Sequence, residues 1–281
     1  MNRRKLWIIL SIAIAAVVAI VITLVVVFAR PAASAQDYAE AATTAGKVSE
    51  QHKAFEASAQ GLVSGAGTGI DATTIADLTA KMNAALDGFK QAQTALKDSP
   101  AVKQTSTEQA FNAYDKKAQN YTVLAEKYRT SIPLYAAMRD SCSQIGKVTA
   151  SNLFSEIKTL IDRLEDPSKE GTLKRFDAQA GGCLTAAEKL RDSGDDSFAK
   201  LGGVFATLLT DIRAATVTRF DETASLGYDN AALNYAKANS SIETAAADTT
   251  RAVAAQQKEE GEAADFSTEL EELTKLLKAK S

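Results

Sequence analysis

The sequence predicts an all-α protein: an N-terminal transmembrane helix followed by an extended antiparallel helical bundle with coiled-coil-like packing. Three observations predict it. An uncharged run of 24 residues, Leu6–Ala29, opens the chain. Beyond it, apolar side chains recur at alternating steps of three and four, the spacing of a helix packed on another helix. No alternating apolar–polar stretch of strand length occurs. Composition agrees, because the chain has only 4 prolines in 281 residues and is rich in Ala, Glu, Lys and Leu, all strong helix formers.

The opening run, as a helix, reaches about 36 Å, enough to cross a hydrocarbon core of about 30 Å. Arg3, Arg4 and Lys5 precede it and Arg30 follows. That bias places the N-terminus in the cytoplasm and the remainder outside, with Trp7 at an interfacial position. The alternative is a secreted protein cleaved near Ala35, since Ala33-Ser34-Ala35 has the small residues of a cleavage site. Secretory apolar regions are about 7–15 residues long, however, and this one is longer, which favours the uncleaved anchor.

The first outward helix carries a stripe from Tyr38 through Ala41, Ala45, Val48, His52, Phe55 and Ala59 to Leu62. Glycines at 65, 67 and 69 break it, and Asp71 or Thr73 can cap the second helix. That helix has its stripe at Ile75, Leu78, Met82, Ala85, Phe89, Ala92 and Leu96, and Pro100 stops it at Ser99. The third runs from Phe111 to Ile145 with Pro133 inside, where a bend is expected. A shorter segment spans Leu153 to Leu164 and ends at Asp166-Pro167. Leu173, Phe176, Ala180, Cys183, Ala187 and Leu190 mark another helix, closed by the turn at 192–196. The next begins with Phe198, Leu201, Phe205, Leu208 and Ile212 and is expected to continue through Phe220, Tyr228, Tyr235 and Ile242 to about residue 257. Phe266, Leu270, Leu273 and Leu277 form the last stripe. The expected organisation is therefore a basic tail at 1–5, a signal anchor at 6–29, an extracytoplasmic helical bundle at 30–257 and a charged amphipathic helix at 258–281. Short loops make successive helices antiparallel.

Beyond residue 30 the chain holds 28 basic and 35 acidic side chains, a net charge of −7, with no basic cluster. Nucleic acid, which needs phosphate-neutralising Lys and Arg on one face, is excluded as a partner. Contact with lipid is expected through residues 6–29 alone. The 2 cysteines, Cys142 and Cys183, fall on the buried faces of their helices, and an oxidising exterior permits a disulfide between them. Two independent buried thiols are the alternative. Gly181 and Gly182, just before Cys183, suggest a close approach of another backbone at that point.

No catalytic constellation stands out. The single histidine, His52, rules out His-pair zinc sites, and two cysteines so far apart are no recognised ligand set. No phosphate-binding, dinucleotide-binding or nucleophile-elbow motif is present. The carboxylate pairs Asp195-Asp196, Glu259-Glu260 and Glu271-Glu272 read as solvated faces and caps. Asn120-Tyr121-Thr122 and Asn239-Ser240-Ser241 match the glycosylation acceptor pattern, a weak signal in any chain this long. Neither enzyme activity, a cofactor nor a metal is expected.

One pattern asks for a ligand. Tyr114, Tyr121, Tyr128 and Tyr135 stand seven residues apart, so each falls only about 20° from the last on one helical face. With His52 they could form a ligand-binding face, since aromatic rings stack on sugars and amines. Packing explains the column more simply, as the bulky half of a seam whose small half is Ala41, Ala45 and Ala59. The leading expectation is a membrane-anchored protein of the cell envelope acting by protein–protein contact or as a spacer, with an envelope partner or a second copy of itself. The alternative is an extracytoplasmic bundle that binds a small ligand between its helices. No residue motif ties the chain to a family.

Overall fold

A computed structural model describes residues 32–66, 70–143, 170–194, 196–225, 244, 248 and 251–281. The expected anchor at 6–29, the segment Leu153–Leu164, Tyr228 and Tyr235 all lie outside the described residues. Among the described residues every regular element is helical, and no helix is long and apolar enough to cross a membrane.

Six α-helices and one 3-10 turn are bounded: α1 (Ala35–Gly65), α2 (Ala72–Asp98), the turn Pro100–Lys103, α3 (Thr105–Ser143), α4 (Glu170–Arg191), α5 (Ser197–Ser225) and α6 (Ser267–Lys278). A further helical stretch covers 251–264 and stops at Asp265-Phe266, immediately before α6. The last helix therefore starts at Ser267, not at 258. The ends follow from side-chain chemistry. Ser34 caps α1 through a capping box with Asp37: the Ser34 hydroxyl oxygen accepts from the Asp37 backbone N–H, and the Asp37 carboxylate accepts from the Ser34 N–H at 2.7 Å. The small residues that resemble a cleavage site thus include a helix cap. Asp71 caps α2 by accepting the Thr74 N–H at 2.7 Å. Ser99, disfavoured from helical geometry by Pro100, ends α2.

Helices α1 and α2 pack along their length as an antiparallel pair. Gln51 lies against Gly88 and Leu78 against Gly61, where a β-carbon would meet Leu78 at 3.3 Å. α3 returns antiparallel to α2, joined by the Lys90–Glu126 and Arg129–Asp87 pairs and by a hydrogen bond between Thr122 and Gln93. α6 seats on both α1 and α3, burying Phe266, Leu270, Leu273 and Leu277. Its C-terminal end returns to the start of α1, where Lys280 lies over the Tyr38 ring. α4 and α5 form a second pair that packs on the far half of α3.

α3 is therefore the spine of both halves. Its 39 residues span about 58 Å, and the helix continues through Pro133 without a break. The buried faces are those the three–four spacing marks: Ala41, Ala45, Val48 and Leu62 on α1, Met82, Phe89 and Leu96 on α2, Phe205 and Leu208 on α5. Ile75, Leu78 and Leu201 are only half-buried. Cys142 and Cys183 lie at disulfide distance, with Cα atoms 4.7 Å apart, tying the end of α3 to α4. The close backbone approach expected beside Gly181 and Gly182 falls at Cys183 itself, while a β-carbon on either glycine would meet nothing within 4 Å among the described residues. A second close approach is at Gly202, where a β-carbon would sit 2.5 Å from the Arg191 backbone nitrogen. Glycine in α5 lets the end of α4 come that near.

Candidate functional site

A cleft of about 900 Å³ opens where the two halves meet. Three helical faces form it, each by residues spaced three and four apart. α1 supplies His52, Phe55, Glu56 and Ala59; α3 supplies Tyr121, Ala125, Tyr128 and Ile132; the 251–264 stretch supplies Gln257, Gly261 and Ala264. Phe198, in the first turn of α5, closes one end, and Asp265 and Ser267 line the break before α6.

The tyrosine column passes this cleft but is not all of it. Tyr121 and Tyr128 line the cleft, whereas Tyr114 and Tyr135 do not. Their ring partners split the column into two pairs. Tyr114 and Tyr121 meet Phe266 edge-on, with centroids 5.6 and 5.3 Å away. Tyr128 and Tyr135 meet Phe198, at 5.4 and 5.2 Å. The bulk opposite the tyrosines is thus two phenylalanines from distant parts of the chain, where alanines of α1 were expected. Offset and edge-to-face rings at these separations add roughly 0.5–1.5 kcal/mol per pair beyond buried area.

His52 sits at the base of the cleft, its ring 4.7 Å from both Tyr121 and Phe266. Its Nε2 lies 3.2 Å from Glu56 Oε1, one turn along α1. That hydrogen bond holds the Glu56 carboxyl below the usual range despite partial desolvation. Across the cleft, Asp265 accepts the Ser267 backbone N–H at 2.9 Å, and this backbone bond likewise lowers its carboxyl. Both groups are therefore ionised at neutral pH. Among the described residues, no group of three His, Cys, Asp or Glu could hold a metal, so His52 has no ligand set around it.

Polar contacts fix the other wall. The Tyr128 hydroxyl donates to Glu260 Oε2 at 2.8 Å, Gln256 donates to the other oxygen of Glu260 at 2.5 Å, and Lys200 donates to Gln256 at 2.8 Å. This chain joins α3, the 251–264 stretch and α5. Beside it, the fully buried Asp196 caps α5 by accepting the Ala199 N–H at 2.8 Å and accepts the Ser131 hydroxyl at 2.5 Å. Asp196, from a pair read in sequence as solvated faces and caps, is a cap but a buried one, and Glu260 accepts from Tyr128 and Gln256. Burial raises the hydroxyls of Tyr114, Tyr121 and Tyr128 well above the ordinary tyrosine range. Asn120, of the possible glycosylation triplet, donates through its side-chain amide to the Ala263 carbonyl at 3.2 Å.

With that geometry, the site offers aromatic rings and carboxylate and amide acceptors. No protein-family model, curated protein or solved structure matches the chain.

Proposed function

We propose that the protein is a membrane-anchored, outward-facing helical bundle that binds a small ligand in the cleft between α1, α3 and the 251–264 stretch. One observation carries this reading. A cavity of about 900 Å³, within the range of about 300–1,000 Å³ usual for small-molecule sites, is lined by two members of the tyrosine column and by His52. Packing accounts for Tyr114 and Tyr135; at Tyr121 and Tyr128 the same column also borders open space. The anchor at 6–29 would hold the cleft outside the membrane.

Gly261 provides the test. A β-carbon there would touch nothing within 4 Å among the described residues, so Gly261→Trp adds bulk at the cleft from a position that has room for a side chain to start. The full chain in nonionic detergent is screened by thermal shift against amines, sugars, nucleosides and short peptides. At least one compound should raise the melting temperature, and that shift should vanish in Gly261→Trp. A panel in which no shift depends on Gly261 would overturn the reading.

The spine geometry favours a second reading, a spacer or contact protein. α3 carries two separate packing groups along about 58 Å, a build suited to holding a surface away from the membrane. Cross-linking in cells should then trap another envelope protein or a second copy, and a chain that is never trapped argues against it.

A further inference from the structure

The geometry points to an organic cation, a compact ammonium group on an aromatic or apolar body, as the occupant of this cleft. The inference rests on the cleft being a ligand site and concerns what that site selects. Its charge is one-sided. Glu56 on α1 and Asp265 before α6 line the same cavity, and no Lys or Arg is among the described residues that line it. Both carboxylates are held in the ionised state, Glu56 by His52 and Asp265 by the Ser267 amide. A third, Glu260, stands behind Tyr128 at hydrogen-bond distance from its hydroxyl.

Aromatic rings share the cavity with the carboxylates. Tyr121, Tyr128, Phe55 and Phe198 line the cavity together. The negative face of an aromatic ring attracts a cation, the more so when water is excluded. The same rings accept an apolar body, whereas an anion entering here would meet two carboxylates, with His52, already hydrogen-bonded to Glu56, as the one basic side chain among the described lining residues. A neutral ligand such as a sugar would gain the stacking and could donate hydroxyl hydrogen bonds to the carboxylates, but it carries no charge to offset theirs. The acidic balance of the whole outward region, a net charge of −7 beyond residue 30, adds attraction for a cation at long range.

The experiment compares three molecules of nearly one shape: phenethylamine, 2-phenylethanol and 3-phenylpropionate. Each is equilibrated by dialysis with the full chain in dodecyl maltoside at pH 7.5, with empty micelles subtracted. Phenethylamine should bind at least about tenfold more tightly than the alcohol, and the carboxylate most weakly. The variant Glu56→Gln with Asp265→Asn should bring the amine down to the affinity of the alcohol. Both replacements keep an oxygen for His52 and for the Ser267 amide, so the fold is retained, which far-UV circular dichroism and the intact disulfide would verify.

Amine and alcohol binding equally, both abolished by Gly261→Trp, would overturn the cation while leaving the cleft as a ligand site. An amine preference that survives the double carboxylate variant would also overturn it. No binding by the amine, while a compound from the broader screen binds in a Gly261-dependent way, would have the same meaning. If that screen also yields nothing, the cleft reading falls with it.

Discussion

Two hydroxyl groups sit in the core without a hydrogen-bond partner among the described residues, those of Tyr114 and Tyr121. Tyr114 is wholly buried, and Tyr121 nearly so. A buried unpaired polar group costs about 1–3 kcal/mol, so Tyr114→Phe and Tyr121→Phe should each be neutral to stabilising by about 1 kcal/mol at pH 7, read as a rise in urea midpoint. A loss of stability from either would show that its hydroxyl has a partner after all. The same residues set an alkaline limit. Their native pKa lies above the value of about 10 for an exposed tyrosine, so above pH 10 the unfolded chain releases protons that the folded one keeps. Stability is then fully present below about pH 10 and declines as pH rises, by up to about 1.4 kcal/mol per pH unit for each group. The urea midpoint should fall between pH 9 and pH 11, and fall less steeply in the Tyr114→Phe, Tyr121→Phe double variant. Equal slopes would sink the assignment. Spacing in the sequence put all four tyrosines on one face, and the face is there. Their partners were not legible, because Phe198 and Phe266 come from helices that no local pattern places opposite α3.

Helices were the most legible level. The three–four stripes located α1, α2, α3 and α6, and the residues named as caps and stops do that work. What failed were polar positions whose role depends on a distant element. Asp196 reads as one of two acids in a turn, yet it is buried because Ser131, on α3, meets it there. Asp196→Ala removes the cap of α5 and strands the Ser131 hydroxyl, a combined cost of about 2–4 kcal/mol. Asp196→Asn keeps the cap acceptor and should recover most of that loss in a denaturant titration; equal damage from both would argue against the capping role. Glycine was only partly legible. Gly181 and Gly182 stand beside the close approach at Cys183, whereas the glycine whose missing β-carbon makes room for a backbone is Gly202, visible only once α4 and α5 are paired. α6 is held by Leu270, Leu273 and Leu277 along its length and by Phe266 at its start. Phe266 is 1% exposed and meets the rings of His52, Phe89, Tyr114 and Tyr121. Phe266→Ala should cost about 3–5 kcal/mol. It should also release α6, so that limited trypsin cleaves at Lys275 or Lys278 before any other site. A variant whose C-terminal end stays as protected as the parent's would refute the anchoring role.

At the scale of the whole molecule, one long helix joins two groups that differ in how they are held. The half built from α1, α2, α6 and the first part of α3 has a continuous core of large side chains, including Val48, Leu62, Met82, Leu86, Phe89 and Leu96. The half built from α4, α5 and the end of α3 buries Leu190, Phe205, Leu208 and Leu209 and carries the Cys142–Cys183 link. The cleft lies at the junction, with its floor in the first half and Phe198 from the second. Its shape therefore depends on both halves staying docked along α3. A crosslink between positions 41 residues apart removes unfolded-state entropy worth roughly 4 kcal/mol in the chain-entropy model. That contribution falls on the half that contains α4. Reduction with a mild thiol, or Cys142→Ser with Cys183→Ser, should therefore act unevenly. In hydrogen exchange, amides of α4 and of α3 beyond Ile132 should lose protection, while those of α1 and α2 keep theirs. Phe198 should loosen with α5, so any ligand shift measured at the cleft should shrink on reduction even though His52 and Tyr121 remain packed. Uniform loss of protection across both halves would mean that the molecule unfolds as a single unit and that α3 does not insulate one half from the other.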